Sequence, residues 1–176
     1  MNESLSFIAF QVGDQQWLPA GNVAYTYNPG AFGISEESSI RIALRDLIGG
    51  DGSSEVIVST ETSRRDIDMG PAEEEYTTIV MDHICEVREG RAQCYGPVLR
   101  SREYTRESVE GLSGAPGVGD NPELPIKRSY KASISYPAPG QIKIKRVSGE
   151  TSERDVSYGT FKLRDLPKTT LGVASR

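Results

Sequence analysis

A chain of 176 residues with a net charge of −5 fits one domain or two small ones and can bury a core without metals or many disulfides. Its acidic balance argues against a general affinity for nucleic acid, because neutralising phosphates requires a basic surface. Hydrophobic residues at 36% and charged residues at 26% imply a globular fold, and no apolar run approaches the roughly 18–20 residues of a membrane span.

Met1 to Phe10 lacks a basic stretch followed by an apolar one, so no signal peptide is expected. Leu5 to Val12 reads as a strand ended by Gly13-Asp14. Val23, Tyr25 and Tyr27 alternate with Ala24 and Thr26, the period of a half-buried strand, and Asn28-Pro29-Gly30 breaks it. Ser35 to Ile48 is the one helix candidate. Ser35 can cap it, Glu36 and Glu37 suit the first turn, and Ile40, Leu44, Leu47 and Ile48 fall on one face before Gly49-Gly50. A strand competes with it, because Ile40, Ile42 and Leu44 also alternate. Glu55 to Thr62 follows as a strand, and Asp66 to Glu75 as an acidic loop.

Tyr76 to Val87 and Arg91 to Leu99 make a hairpin if Glu89-Gly90 is a two-residue loop. Arg88 then faces Arg91, and Cys85 faces Cys94 in a non-hydrogen-bonded pair, where opposed side chains come closest. A cross-strand disulfide suits that geometry; two reduced, buried thiols are the alternative. Ser101 to Val109 continues as a strand. Gly111 to Pro125, rich in Gly and Pro, is a linker or long exposed loop. Beyond it, Tyr130, Ala132, Ile134 and Tyr136 face one way and Lys131, Ser133 and Ser135 the other. After the turn Pro137-Ala138-Pro139-Gly140, Ile142 and Ile144 oppose Lys143 and Lys145, and Val156 to Leu163 returns as a strand.

The residues offer little chemistry. His83 is the only histidine, and its neighbour Asp82 points to the opposite face of the strand. A satisfied or exposed sheet residue is the expectation for His83. Gly111 to Asp120 lacks the Gly-Lys-Ser/Thr ending on which a phosphate loop depends. Asp66, Asp68, Gly70 and Glu73 to Glu75 match only the start of a calcium loop, so a solvated acidic loop is expected. No catalytic residue, metal or cofactor is expected, and the chain is not expected to be an enzyme. Candidate contact residues are Tyr25 and Tyr27 on a strand, and the basic Arg100 and Arg102 close to Tyr104.

One stretch carries a family likeness. Pro139-Gly140 closes a strand, Ile142 to Arg146 alternates with basic residues, Ser148 to Asp155 is a Ser/Thr/Asp-bearing turn, and Phe161 to Leu166 ends a last strand on an aromatic and a leucine. Lys127 to Leu166 thereby resembles the β-sandwich segment of the tail-tip attachment (host-specificity) proteins of lambda-like siphophages. The resemblance covers the C-terminal quarter. It implies a structural protein of a phage tail tip or baseplate, made in the host cytoplasm and carried in the virion. Its partners would be copies of itself or other tail or baseplate proteins. A small secreted or periplasmic protein-binding domain, of immunity-protein or adhesin type, is the alternative. The expected fold is mainly β, an antiparallel sandwich or partial barrel with one short helix. Residues 1–110 would form a β-rich domain, 111–126 a loop or linker, and 127–176 a hairpin segment of the same or a second unit.

Overall fold

A computed structural model describes residues 2–12, 16–28, 33–49, 55–68, 72–88, 91–109, 123–149 and 157–169. The glycine-rich stretch at 111–122 and the Glu89-Gly90 loop fall outside the described residues, as do most of the turn at 148–155 and the side chains of Tyr25 and Tyr27. The chain is mainly β and antiparallel. Among the described residues ten strands follow one another as a meander: β1 (Asn2–Val12), β2 (Gln16–Asn28), β3 (Gly33–Arg45), β4 (Glu55–Asp68), β5 (Glu73–Arg88), β6 (Arg91–Ser108), β7 (Ile126–Ser135), β8 (Gln141–Gly149), β9 (Gly159–Lys162) and β10 (Lys168–Thr169). Each of the first nine pairs with the next, and β10 returns to pair with β6. The sheet is open rather than a closed barrel. It nevertheless curls at its C-terminal end, because β6 gives the edge at Ser101–Arg106 to β7 and that at Cys94–Tyr95 to β10.

The helix expected over Ser35 to Ile48 is not formed. Those residues are β3 and the turn after it, and every residue from Gly33 to Arg45 pairs with β4. Ile42 opposite Val58 and Leu44 opposite Val56 are β-branched and aliphatic cross-strand pairs, which favour a ladder over the capping signals of an isolated helix. The single helical element among the described residues is a 3-10 turn at Leu163–Asp165. The expected acidic loop is also corrected: Asp66 and Asp68 end β4, and Glu73 to Glu75 begin β5.

The β5–β6 register matches the expected hairpin: Arg88 opposes Arg91, and Cys85 opposes Cys94. The two cysteines are joined in a disulfide, with their Cα atoms 4.0 Å apart. Two clusters fill the interior among the described residues. The larger gathers Leu47, Ile57, Ile84, Tyr130, Ile142 and Leu163 with their neighbours, so β4 to β8 and the 3-10 turn share one core. Ile84 and Ile142 are wholly buried, and each contributes about 1.5–3 kcal/mol on that account. The smaller, on the other face of β4 and β5, joins Val56, Val58, Cys85 and Cys94, and Phe10 of β1 packs against it. Residues from both sides of the glycine-rich stretch thus share one sheet and one cluster.

Glycine is required where strands cross closely. Gly149, at φ +72°, opposes Tyr130, and a Cβ there would lie 1.7 Å from the Ser129 carbonyl oxygen. Gly96, at φ +114°, sits in a bulge where β6 carries one extra residue between Tyr95 and Val98. Its N–H donates to the Pro167 carbonyl at 2.9 Å and so ties the C-terminal strand to β6.

Candidate interaction surface

The acidic side chains Asp82, Glu86 and Glu73 to Glu75 are held by arginines. Asp82 is wholly buried. Its Oδ1 accepts from Ser59 Oγ at 2.7 Å, and its Oδ2 accepts from Arg100 Nε at 3.1 Å and Nη2 at 2.5 Å. Glu86 accepts from Tyr95 Oη at 2.7 Å and from Arg164 of the 3-10 turn at 2.7 Å and 3.1 Å. Burial and the bond to Glu86 both push the Tyr95 hydroxyl up. At the far end of the sheet Glu74 pairs with Arg65, and Arg106 pairs with Glu73 and Glu75. The Arg65 guanidinium stands 5.6 Å over the Tyr76 ring, a cation–π contact. Glu73 to Glu75 therefore form a cross-strand ion-pair ladder rather than a solvated loop. No group of three or more His, Cys, Asp or Glu able to hold a metal ion occurs among the described residues.

His83 is buried rather than exposed, and its Nδ1 finds no hydrogen-bond partner among the described residues. Burial lowers its pKa against the opposing pull of Asp82. Asp82 is turned instead to Ser59 and Arg100. Two further buried polar atoms lack partners among the described residues, Tyr136 Oη and Glu55 Oε1. The other oxygen of Glu55 accepts from the backbone N–H of Leu47 at 2.6 Å and Ile48 at 3.2 Å, which turns the chain after β3 into the core.

Of the candidate contact residues, Arg100 is committed to Asp82. Tyr104 is half-buried, and its pKa is raised first by burial and then by its bond to Glu75. Arg102 lies on β6 opposite Ile79 and Tyr130. Tyr25 and Tyr27 pair through their backbones with Leu5 and Glu3, and Tyr27 also with Glu36. Through Glu36, Arg64 and Thr77 the backbone register sets Tyr27 four strands away from Tyr104.

The available surface lies elsewhere, on β3. β2 pairs with β3 only at Glu36 and Glu37, and Phe10 of β1 packs on the disulfide face. Beyond Glu37 the second edge of β3, through Arg45, has no strand partner among the described residues. The direction of its backbone groups follows from the disulfide pair. A Cα separation of 4.0 Å marks Cys85 and Cys94 as a non-hydrogen-bonded pair. Cys85 therefore bonds Val56 across β4, and Leu44, opposite Val56, turns its N–H and C=O away from β4. Ile42 and Ile40 follow at the same period. Ile42 is 56% exposed and Leu44 68%, on the face that continues into the disulfide cluster through Ile40. An edge with outward backbone groups and uncovered apolar side chains is a template for a further strand.

Ile42 and Leu44 stood in the competing strand reading of this segment but not among the candidate contact residues, although their alternation with Arg41 and Ala43 is the signal that marks them. No helix is long and apolar enough to cross a membrane among the described residues. Comparison with protein-family models, with curated proteins and with solved structures finds no match to this chain.

Proposed function

We propose that the chain is a non-enzymatic structural protein of a bacteriophage tail tip or baseplate, assembling with copies of itself or with other tail proteins. The observation that carries the assembly is the open edge of β3, where Ile42 and Leu44 are exposed beside outward-turned backbone groups. Soluble proteins ordinarily cover or charge such an edge, so its retention fits a surface meant for a neighbour. The likeness of Lys127 to Leu166 to the tail-tip attachment proteins supports the virion assignment. Light scattering during size-exclusion chromatography, over a range of concentrations, tests the proposal. A defined trimer, hexamer or larger ring is expected; a monomer at every concentration counts against it.

A second reading is favoured by one observation, the Cys85–Cys94 disulfide, since such bonds persist in oxidising compartments. In that reading the chain is a secreted or periplasmic protein-binding domain of immunity-protein or adhesin type. It would be a monomer that adds one strand of its partner to β3.

A further inference from the structure

The charge of this acidic chain is unevenly placed. Between Lys127 and Gly149 there are six basic residues and no acidic one. Strand alternation sorts that segment into a buried apolar face, with Tyr130, Ala132, Ile142 and Ile144, and an exposed face. The register then assembles the exposed face across three strands. Ser133 opposes Lys145, Ser135 opposes Lys143, Lys143 opposes Thr160, and Gln141 opposes Lys162. Lys131 lies one step further along β7, opposite Ser148. Lys162, Lys143, Lys145 and Lys131 therefore form a diagonal stripe. From the strand rise and spacing, neighbouring Cα atoms are about 7–8 Å apart and the stripe is about 20 Å long. All four lysines are exposed, and no ion pair engages them among the described residues.

We infer that this stripe is a binding surface for a flexible anionic polysaccharide, one carrying sulfate or phosphate groups along a single chain. Charge complementarity supplies the attraction: a regular row of ammonium groups meets a regular row of anions and releases their counterions. The positions between the lysines carry the hydroxyls of Ser133, Ser135 and Thr160, which can bond sugar and sulfate oxygens. Single-stranded nucleic acid is instead bound through aromatic rings on which bases stack. The acidic remainder of the chain also repels a stiff phosphate duplex that overruns the stripe. This surface is separate from the β3 edge and does not rest on the assembly proposed above.

The test is binding of fluorescent dextran sulfate to the full chain, with neutral dextran and duplex DNA as comparators. Four neutralised charges predict an affinity loss of about 50-fold between 50 and 200 mM salt. The pair Lys143→Gln and Lys145→Gln, both solvent-facing, should retain the thermal melt of the parent and reduce that loss to about sevenfold. The pair Arg64→Gln and Arg91→Gln removes the same net charge from elsewhere and should leave binding unchanged. Absence of binding to dextran sulfate at 50 mM salt overturns the inference, as does binding that is indifferent to the lysine pair. Duplex DNA binding as tightly as dextran sulfate overturns it too, and would assign the stripe to nucleic acid.

Discussion

Asp82 sits where no solvent reaches it, and Arg100, itself about half exposed, pairs with it from the rim. Removing one partner of such a pair leaves a buried charge uncompensated, at a cost well above the net worth of the pair. Arg100→Ala is therefore expected to lower stability by about 3 kcal/mol, read as a shift in urea midpoint at unchanged slope. Tyr136 presents the opposite case, a buried hydroxyl with no hydrogen-bond partner among the described residues. Burial first, and the Asp82 charge second, push its pKa from 10.0 to about 12. The unfolded chain then gives up this proton before the folded one does. The stability tied to the neutral phenol is complete below pH 10 and is lost as pH rises from 10 towards 12. Tyr136→Phe should flatten stability across that alkaline window. At pH 7 it should match the parent or gain up to about 1 kcal/mol, since an unpaired polar atom leaves the interior. Urea titrations at pH 7 and pH 11 measure both, and an equal alkaline loss in the variant would refute the assignment.

At the scale of elements, the β5–β6 hairpin is the part most legible in sequence. A two-residue loop with Gly at its second position sets the register, and the period of two then places Cys85 against Cys94. The bond closes a short loop, and loop-closure entropy gives it about 2–3 kcal/mol. The double variant Cys85→Ala and Cys94→Ala should lose about that much, and it also opens space beside Val56, Val58 and Phe10. β3 was the harder element. Ser35, the glutamates and the apolar face of Ile40, Leu44, Leu47 and Ile48 satisfy helix rules locally, whereas the ladder with β4 is a contact between residues up to 34 positions apart, as for Gly33 and Ile67. Local propensity is a weak prior against a thirteen-residue antiparallel pairing.

For the whole molecule, the consequence of that ladder is an unfinished sheet. β1 and β2 leave β3 after two paired positions, Phe10 covers the disulfide cluster, and Ile42 and Leu44 stay open to solvent. If this edge drives assembly, Ile42→Lys together with Leu44→Lys should return the oligomer to a monomer without loss of fold. Charge placed on a strand edge opposes pairing, while both side chains already face water and contribute little core. A mass unchanged in that variant would show that another surface holds the copies together. The lysine stripe on β7 to β9 should be unaffected by these changes.

The β5–β6 hairpin and the Cys85–Cys94 opposition were determined by the sequence itself, because a period of two and a glycine-bearing loop are local facts of the chain. The buried and exposed faces of β7 and β8 were equally plain, from Tyr130 and Ile142 on one side and Lys131 and Lys143 on the other. Tertiary structure alone decided the rest. Whether Ile40, Ile42 and Leu44 followed a helix or a strand depended on a partner strand that no local window contains. Arg100 looked like a free basic handle until β5 brought Asp82 beneath it, and Glu73 to Glu75 looked like a loop until β4 and β6 supplied their arginines. The lysines of three strands became one stripe only through the register that sets them side by side, since charge separated along the chain acts together only where folding makes it adjacent.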